Sequence, residues 1–209
     1  MSSIRLLSQD VIGKIAAGEV VERPAAAIKE MVENSLDAGA TSVSVEIRDG
    51  GISYFRVSDN GSGIPSGDIR LAFERHATSK ISTAEELSTV SSLGFRGEAL
   101  ASIAAVSKLT CSTRTKNDPA GIRIRIQGGE IIGMDEVGLS VGTTMVVTEL
   151  FYNTPVRLKF LKKPSIEASL VTDYMMRLIL SHPEVSFRYV SQPRSCTATG
   201  TALHALHGQ

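Results

Sequence analysis

Cysteine is scarce in this 209-residue chain: Cys111 and Cys196 stand far apart and form no CxxC spacing, so neither a disulfide framework nor a zinc module is indicated. A reducing, intracellular setting fits that usage. Charge of one sign is missing too. Lys plus Arg total 22 and Asp plus Glu total 22, so net charge draws in neither nucleic acid nor an anionic membrane, and any polyanion site must be a local patch. No run approaches the roughly 18 apolar residues that span a bilayer, and residues 1–7 hold no apolar stretch of signal-peptide length. A soluble cytoplasmic protein is the expectation. Internal repeats and low-complexity tracts are absent. What remains, 42% hydrophobic and 21% charged, is enough apolar material for an ordinary folded core of one large domain, or one domain plus a fragment.

Apolar spacing predicts a helix opening at Ser8 and running through Val11, Ile12, Ile15, Ala16 and Val20. A second helix is expected over 24–37. Pro24 suits its first position, Ile28, Met31, Val32 and Leu36 recur at helical spacing, and Gly39 stops it. From Val43 the period becomes two; Asp49-Gly50-Gly51 then turns the chain into another alternating run ending at Val57, which predicts a hairpin. Strands are also expected over 122–126 and 145–150, with Gly128-Gly129 as a turn before Ile131. Cys111 falls in a further strand as core packing, and 185–190 opens another. Helical patterns recur at 69–73, 97–106 and 166–180, the last between Pro164 and His182-Pro183. Helices lie between strands without strict βαβ rotation. That order predicts an α+β fold, a two-layer sandwich with helices on one face of a mixed, mainly antiparallel sheet. Residues 1–191 are expected to form this domain. Gln192 to Gly200 is polar and irregular and the sequence ends abruptly, so residues 192–209 read as a truncated tail or the start of a following domain.

On the 24–37 helix, Glu30, Asn34 and Asp37 recur at i, i+4 and i+7, opposite the apolar stripe; a solvated polar face has the same pattern. After the second alternating strand comes Asp59-Asn60-Gly61-Ser62-Gly63. This is a turn composition, but it also lets a flat ligand approach the main chain, and an acid at a strand end can accept a hydrogen bond from an exocyclic amine such as adenine's. Then Leu93-Gly94-Phe95-Arg96-Gly97-Glu98-Ala99-Leu100 runs from a glycine-bracketed loop into a helix, whose first N–H groups and dipole suit phosphate. The pattern GxxxxGK[ST] does not occur, which disfavours a Walker-type ATPase.

An E-x-x-x-N helix, a DxGxG turn, the GFRGEAL loop and Gly142-Thr143-Thr144, in that order, resemble the ATPase superfamily of gyrase-type topoisomerases, chaperone ATPases, sensor histidine kinases and MutL proteins. Longer stretches narrow the resemblance to the MutL mismatch-repair family. They are IAAGEVVERP from Ile15, VENSLDAGA from Val32, RHATSK from Arg75 and FYNTP from Phe151. The likeness covers residues 1 to about 191.

This resemblance implies a slow Mg-dependent ATPase. It makes Glu30 the general base on the attacking water and Asn34 the Mg²⁺ ligand, with Asp59 and Thr143 at the adenine end. Asp37, Ala38, Gly61 and Gly63 are implied to line the same ATP pocket. Thr78, Ser79 and Lys80, with Gly94, Phe95, Arg96, Gly97, Glu98, Ala99 and Leu100, are implied to form a lid over the triphosphate, ordered by nucleotide. The family's output is homodimer formation through the N-terminal segment, roughly residues 1–21, and closure of a clamp around DNA. Its partners are a mismatch-recognition protein of the MutS type and a downstream repair nuclease or helicase. A bacterial origin is implied.

The family completes its γ-phosphate site with a lysine from a following domain that is not in this sequence, so weakened hydrolysis is expected. Lys159-Phe160-Leu161-Lys162-Lys163, with Arg114, Lys116, Arg123 and Arg125, form either a cationic track for DNA or a solvated surface. His204 and His207 have no Cys or acid nearby, so a surface pair is favoured over a metal site. Two other functions stay open: a phosphotransfer kinase, which needs a phosphoacceptor histidine domain ahead of the pocket, and a module that senses nucleotide without turnover or merely scaffolds.

Overall fold

The computed structural model describes residues 17, 20–74, 77 and 98–192. Helix α1 (Pro24–Asp37) is followed by strands β1 (Ser42–Arg48) and β2 (Tyr54–Asp59), helix α2 (Ala99–Ala105) and strands β3 (Lys108–Arg114), β4 (Gly121–Gln127), β5 (Glu130–Val137) and β6 (Gly142–Thr148). Helices α3 (Pro155–Phe160) and α4 (Pro164–Ser181) lead into β7 (Ser186–Gln192). Of the helix expected from Ser8, all but Ala17 and Val20 lies outside the described residues; both of those are helical. The tail from 193 also lies outside them, with His204 and His207.

The described strands form one seven-stranded sheet in the order β5-β4-β3-β6-β2-β1-β7. Every neighbouring pair is antiparallel except β1 with β7, so the sheet is mixed and mainly antiparallel, as the sequence implies. Alternation sets the two faces. Val43, Val45, Ile47, Phe55, Val57, Leu109, Cys111, Ile124, Ile126, Met145 and Val147 are buried on the inner face. They join Ile28, Met31 and Val32 of α1, Ile103 of α2 and Val171 and Met175 of α4 in one core. Each of these large side chains contributes about 1.5–3 kcal/mol by leaving water, so the helix layer is held by its stripe rather than by propensity.

Three expectations shift in detail. The pattern at 69–73 yields only a 3-10 turn at Leu71–Phe73, because Glu74 returns to an extended backbone after a single turn. Gly142, Thr143 and Thr144 begin β6 rather than precede it, and that strand ends at Thr148 because Glu149 and Phe151 take positive φ. Helix α3, with no buried residue, had no periodic core face to announce it.

Candidate active site

Helix α1 ends in a Schellman motif. Ala38 caps it, Gly39 turns left-handed at φ 70, Gly39 N–H donates to the Leu36 carbonyl at 2.9 Å and Ala40 N–H to that of Ser35 at 3.1 Å. The Ala38 carbonyl then accepts from Ser62 N–H at 2.9 Å, which stitches the helix end to the turn after β2. Glycine at 61 is required by this contact, since a Cβ there would lie 2.9 Å from both the Cβ and the carbonyl oxygen of Ala38. Asn60 closes the other side: its Oδ1 accepts from Thr41 and Ser42 N–H, both at 2.9 Å.

Asp59, the last residue of β2, holds three elements with one carboxylate. Oδ2 accepts from the Ser35 hydroxyl of α1 at 2.8 Å; Oδ1 accepts from Gly61 N–H at 2.9 Å and from Thr143 N–H of β6 at 3.2 Å. A carboxylate has about four acceptor positions, so one remains for an incoming donor. Behind it, the Thr143 and Thr113 hydroxyls lie 3.0 Å apart. Thr113 Oγ1 accepts from Ile64 N–H at 2.8 Å and donates to the Gly142 carbonyl at 3.1 Å. Gly63, at φ 76, sits so close to β3 that a Cβ would collide with the Arg114 carbonyl. Cys111 is fully buried in the same strand; burial, with the Asp59 charge adding to it, pushes its thiol up to about 12, which marks it as inert packing.

Glu30 and Asn34 are half-buried on α1, and Asp37 is exposed at its end. Helix α1 packs against β2, α2 and α4. Glu33, one residue before Asn34, is buried with Lys29 at 3.6 Å; burial raises its carboxyl above the ordinary value, opposed by Lys29 and reinforced by Glu30 and Asp37. Tyr174 of α4 turns a buried hydroxyl with no hydrogen-bond partner among the described residues toward this side. Burial, then the charges of Glu33 and Glu30, hold that phenol above its usual range.

Glu98 precedes α2, which Ala99 and Leu100 open beside α1. The far end of α2 is fixed by the FYNTP stretch: Asn153 Nδ2 donates to the Ala105 carbonyl at 2.8 Å and Phe151 N–H to that of Val106 at 2.7 Å. The structure thus brings Asn34, Asp37, Ala38, Asp59, Gly61, Gly63 and Thr143 to one end of α1, with Glu30 a turn back and Glu98, Ala99 and Leu100 on the adjoining helix. Thr78, Ser79, Lys80, Gly94, Phe95, Arg96 and Gly97 lie outside the described residues.

Sequence patterns gave Ser35, Thr113, Asn60 and Asn153 no individual role. Ser35 and Thr113 each offered one signal, a hydroxyl at a core-facing position, where a buried polar group needs a partner. No group of three or more His, Cys, Asp or Glu is arranged to hold a metal among the described residues. Mg²⁺ is held through few protein atoms, substrate phosphates and retained waters, and an amide oxygen such as that of Asn34 is a ligand of the right chemistry for it. The arginines of the cationic track are engaged: Arg125 pairs with Asp135 at 2.7 Å, Arg123 with Asp135 at 3.8 Å, and the Arg114 guanidinium donates to the carbonyls of Asp118 and Leu139. Lys159 belongs to α3, and Lys162 and Lys163 to the link into α4; all three are exposed.

Residues 22–130 match the family model described as histidine kinase-, DNA gyrase B-, and HSP90-like ATPase. The chain belongs to that ATPase family. Within it, the resemblance is to MutL. The DNA mismatch repair protein MutL of Caldanaerobacter subterraneus subsp. tengcongensis is 52% identical over 194 residues, 93% of this chain and 33% of the relative. That of Agathobacter rectalis is 50% identical over 191 residues, 91% of this chain and 30% of the relative. The Aquifex aeolicus MutL ATPase domain complexed with ADP superposes with a TM-score of 0.67 at 38% identity, covering 84% of this chain and 62% of that one. The chain spans about a third of the length of these curated relatives. The expected fold class and the resemblance to the MutL ATPase region hold, and no described helix is long and apolar enough to cross a membrane.

Proposed function

We propose that this chain binds Mg-ATP at the end of α1 and hydrolyses it slowly, as the ATPase region of a MutL-type DNA mismatch-repair protein. The observation that carries the reading is the Asp59 carboxylate, tied to α1 through Ser35 and to β6 through Thr143, with acceptor capacity left for the adenine amine. Thr143 supports the same end, Gly61 and Gly63 let the base approach the main chain, and Asp37 and Ala38 line the pocket beside them. Glu30 polarises the attacking water, and a turn along the helix Asn34 offers its amide oxygen to the ion. Held there by Asn34, the ion would supply positive charge to offset the negative charge that develops on the phosphates. Glu98, Ala99 and Leu100, with Gly94, Phe95, Arg96 and Gly97 and the Thr78, Ser79 and Lys80 segment, form the lid over the triphosphate.

Nucleotide state then governs lid order, homodimerisation through the N-terminal segment and closure on DNA. The complete protein acts in the bacterial cytoplasm with a mismatch-recognition protein of the MutS type and a downstream nuclease or helicase. A module that senses nucleotide without turnover is the competing reading. Glu30→Ala separates the two: hydrolysis lost with ATP binding kept supports the enzyme, and phosphate release unchanged by the substitution removes Glu30 from its role.

A further inference from the structure

Glu167, on the first turns of α4, is completely buried, although no ligand role touches it. Its Oε1 accepts from the Lys162 N–H at 2.9 Å. Its Oε2 is buried with no hydrogen-bond partner among the described residues and faces Arg23 Nη1 at 4.0 Å, beyond hydrogen-bond reach. Burying a carboxylate costs several kcal/mol unless it is paired and bonded, so a half-satisfied acid pulls hard on the cation that the described residues place beside it.

That cation sits at the start of α1. Arg23 is the extended residue before the helix, and its carbonyl accepts from Ala26 N–H at 3.1 Å and Ala27 N–H at 3.3 Å. The surroundings leave little slack. A Cβ on Gly50 would collide with the Pro164 carbonyl, and one on Gly51 would lie 2.8 Å from Pro24 Cβ, so the β1–β2 connection is wedged against the starts of both α4 and α1.

We propose that Glu167 is a positioning residue which, by drawing on Arg23, sets the placement of α1 and so of the Glu30 it carries. The proposal rests on the reading of Glu30 as the general base. Seven residues of helix separate Arg23 from Glu30, about 10 Å at the helical rise, and a helix moves over that length nearly as a rod. A shift at its first turn therefore reaches the reacting water, where even a misplacement of about 1 Å is costly.

The test uses the full chain and four variants. Glu167→Gln keeps an acceptor for the Lys162 amide and removes the charge; Arg23→Gln removes the cation, Arg23→Lys keeps it, and the double Gln variant closes the cycle. The expected result is that each single Gln substitution lowers kcat for ATP by about tenfold, with KM changing by less than about twofold. The double variant does no worse than the worse single one. Arg23→Lys recovers most of the loss, a rescue that a purely structural role has no reason to show. Folded variants with unchanged kcat, or losses that multiply in the double variant, overturn the proposal. If Glu167→Gln does not fold, Arg23→Gln and Arg23→Lys carry the same decision.

Calorimetry with a non-hydrolysable ATP analogue on the unaltered chain keeps the two readings apart. No binding there defeats the pocket, whereas binding with kcat untouched by the substitutions defeats the positioning role alone. Hydrogen exchange at the Ala26 and Ala27 amides reads the helix start without nucleotide. It is expected to quicken by about tenfold in both Gln variants, because loosening the first turn opens those bonds, and equal exchange contradicts the proposal.

Discussion

The Ser35 hydroxyl of α1 lies 2.8 Å from Oδ2 of Asp59 at the end of β2, so the helix that bears Glu30 and Asn34 and the turn that would read adenine are one mechanical unit. Ser35 Oγ also lies 3.1 Å from its own helix's Met31 carbonyl, and the shorter contact to the carboxylate is the stronger claim on its single proton. Ser35→Ala should therefore loosen Asp59 while leaving the fold intact. The expected outcome is nucleotide affinity reduced several-fold, with stability lower by about 1 kcal/mol. Titration calorimetry beside urea unfolding checks both numbers, and unaltered affinity would detach Ser35 from the pocket.

Gly63→Ala should do far more harm. It forces a side chain into a φ of 76 and against the Arg114 carbonyl. Backbone cannot yield there as a flexible side chain can, so the loss should exceed about 2 kcal/mol. Thermal unfolding measures it. Gly67→Ala, where an added Cβ meets nothing within 4 Å, is the matched control and should be nearly neutral.

Glu33 gives the protein a pH dependence of definite sign. Its folded carboxyl titrates above the ordinary 4.5, chiefly through burial, so the unfolded chain ionises it more readily. Ionisation thus favours unfolding. The stabilising contribution is complete at pH values below 4.5 and declines as pH rises through the shifted value. Glu33→Gln should accordingly be more stable than the unaltered chain at neutral pH, with the advantage fading in acid. Urea unfolding at pH 4 and pH 7 tests this, and a benefit as large in acid as at neutrality would contradict it.

Cys111 should resist iodoacetamide at pH 8 in the native state and react after unfolding, since burial raises its thiol to about 12 and leaves it no access to reagent. Mass spectrometry of the alkylated chain decides, and rapid native labelling of Cys111 would mean that β3 opens readily.

How far the sequence discloses the fold and the site depends on how local each signal is. Helix α1 and the β1–β2 hairpin were readable because apolar periodicity and the Pro24, Gly39 and Asp49-Gly50-Gly51 punctuation lie within them. Helix α3 was not, since an element that buries nothing carries no stripe. Asp59, Glu30 and Asn34 were marked by pattern and by family likeness. Ser35 and Thr113 were not, because each becomes part of the site through distant partners, 24 residues away for Ser35 and 29, 30 and 49 residues away for Thr113. Glu167 was hidden for a similar reason. An acid near the start of a helix normally faces water, and the packing of α4 on the β1–β2 connection and on α1 shuts it in.

The most direct measurement is calorimetry of a non-hydrolysable ATP analogue, with and without Mg²⁺, against the unaltered chain and Asp59→Asn. Metal-dependent binding is expected of the unaltered chain, with its loss, by tenfold or more (about 1.4 kcal/mol), in a folded Asp59→Asn, whose amide nitrogen cannot accept the adenine amine's hydrogen bond. Equal binding by the two proteins would contradict it.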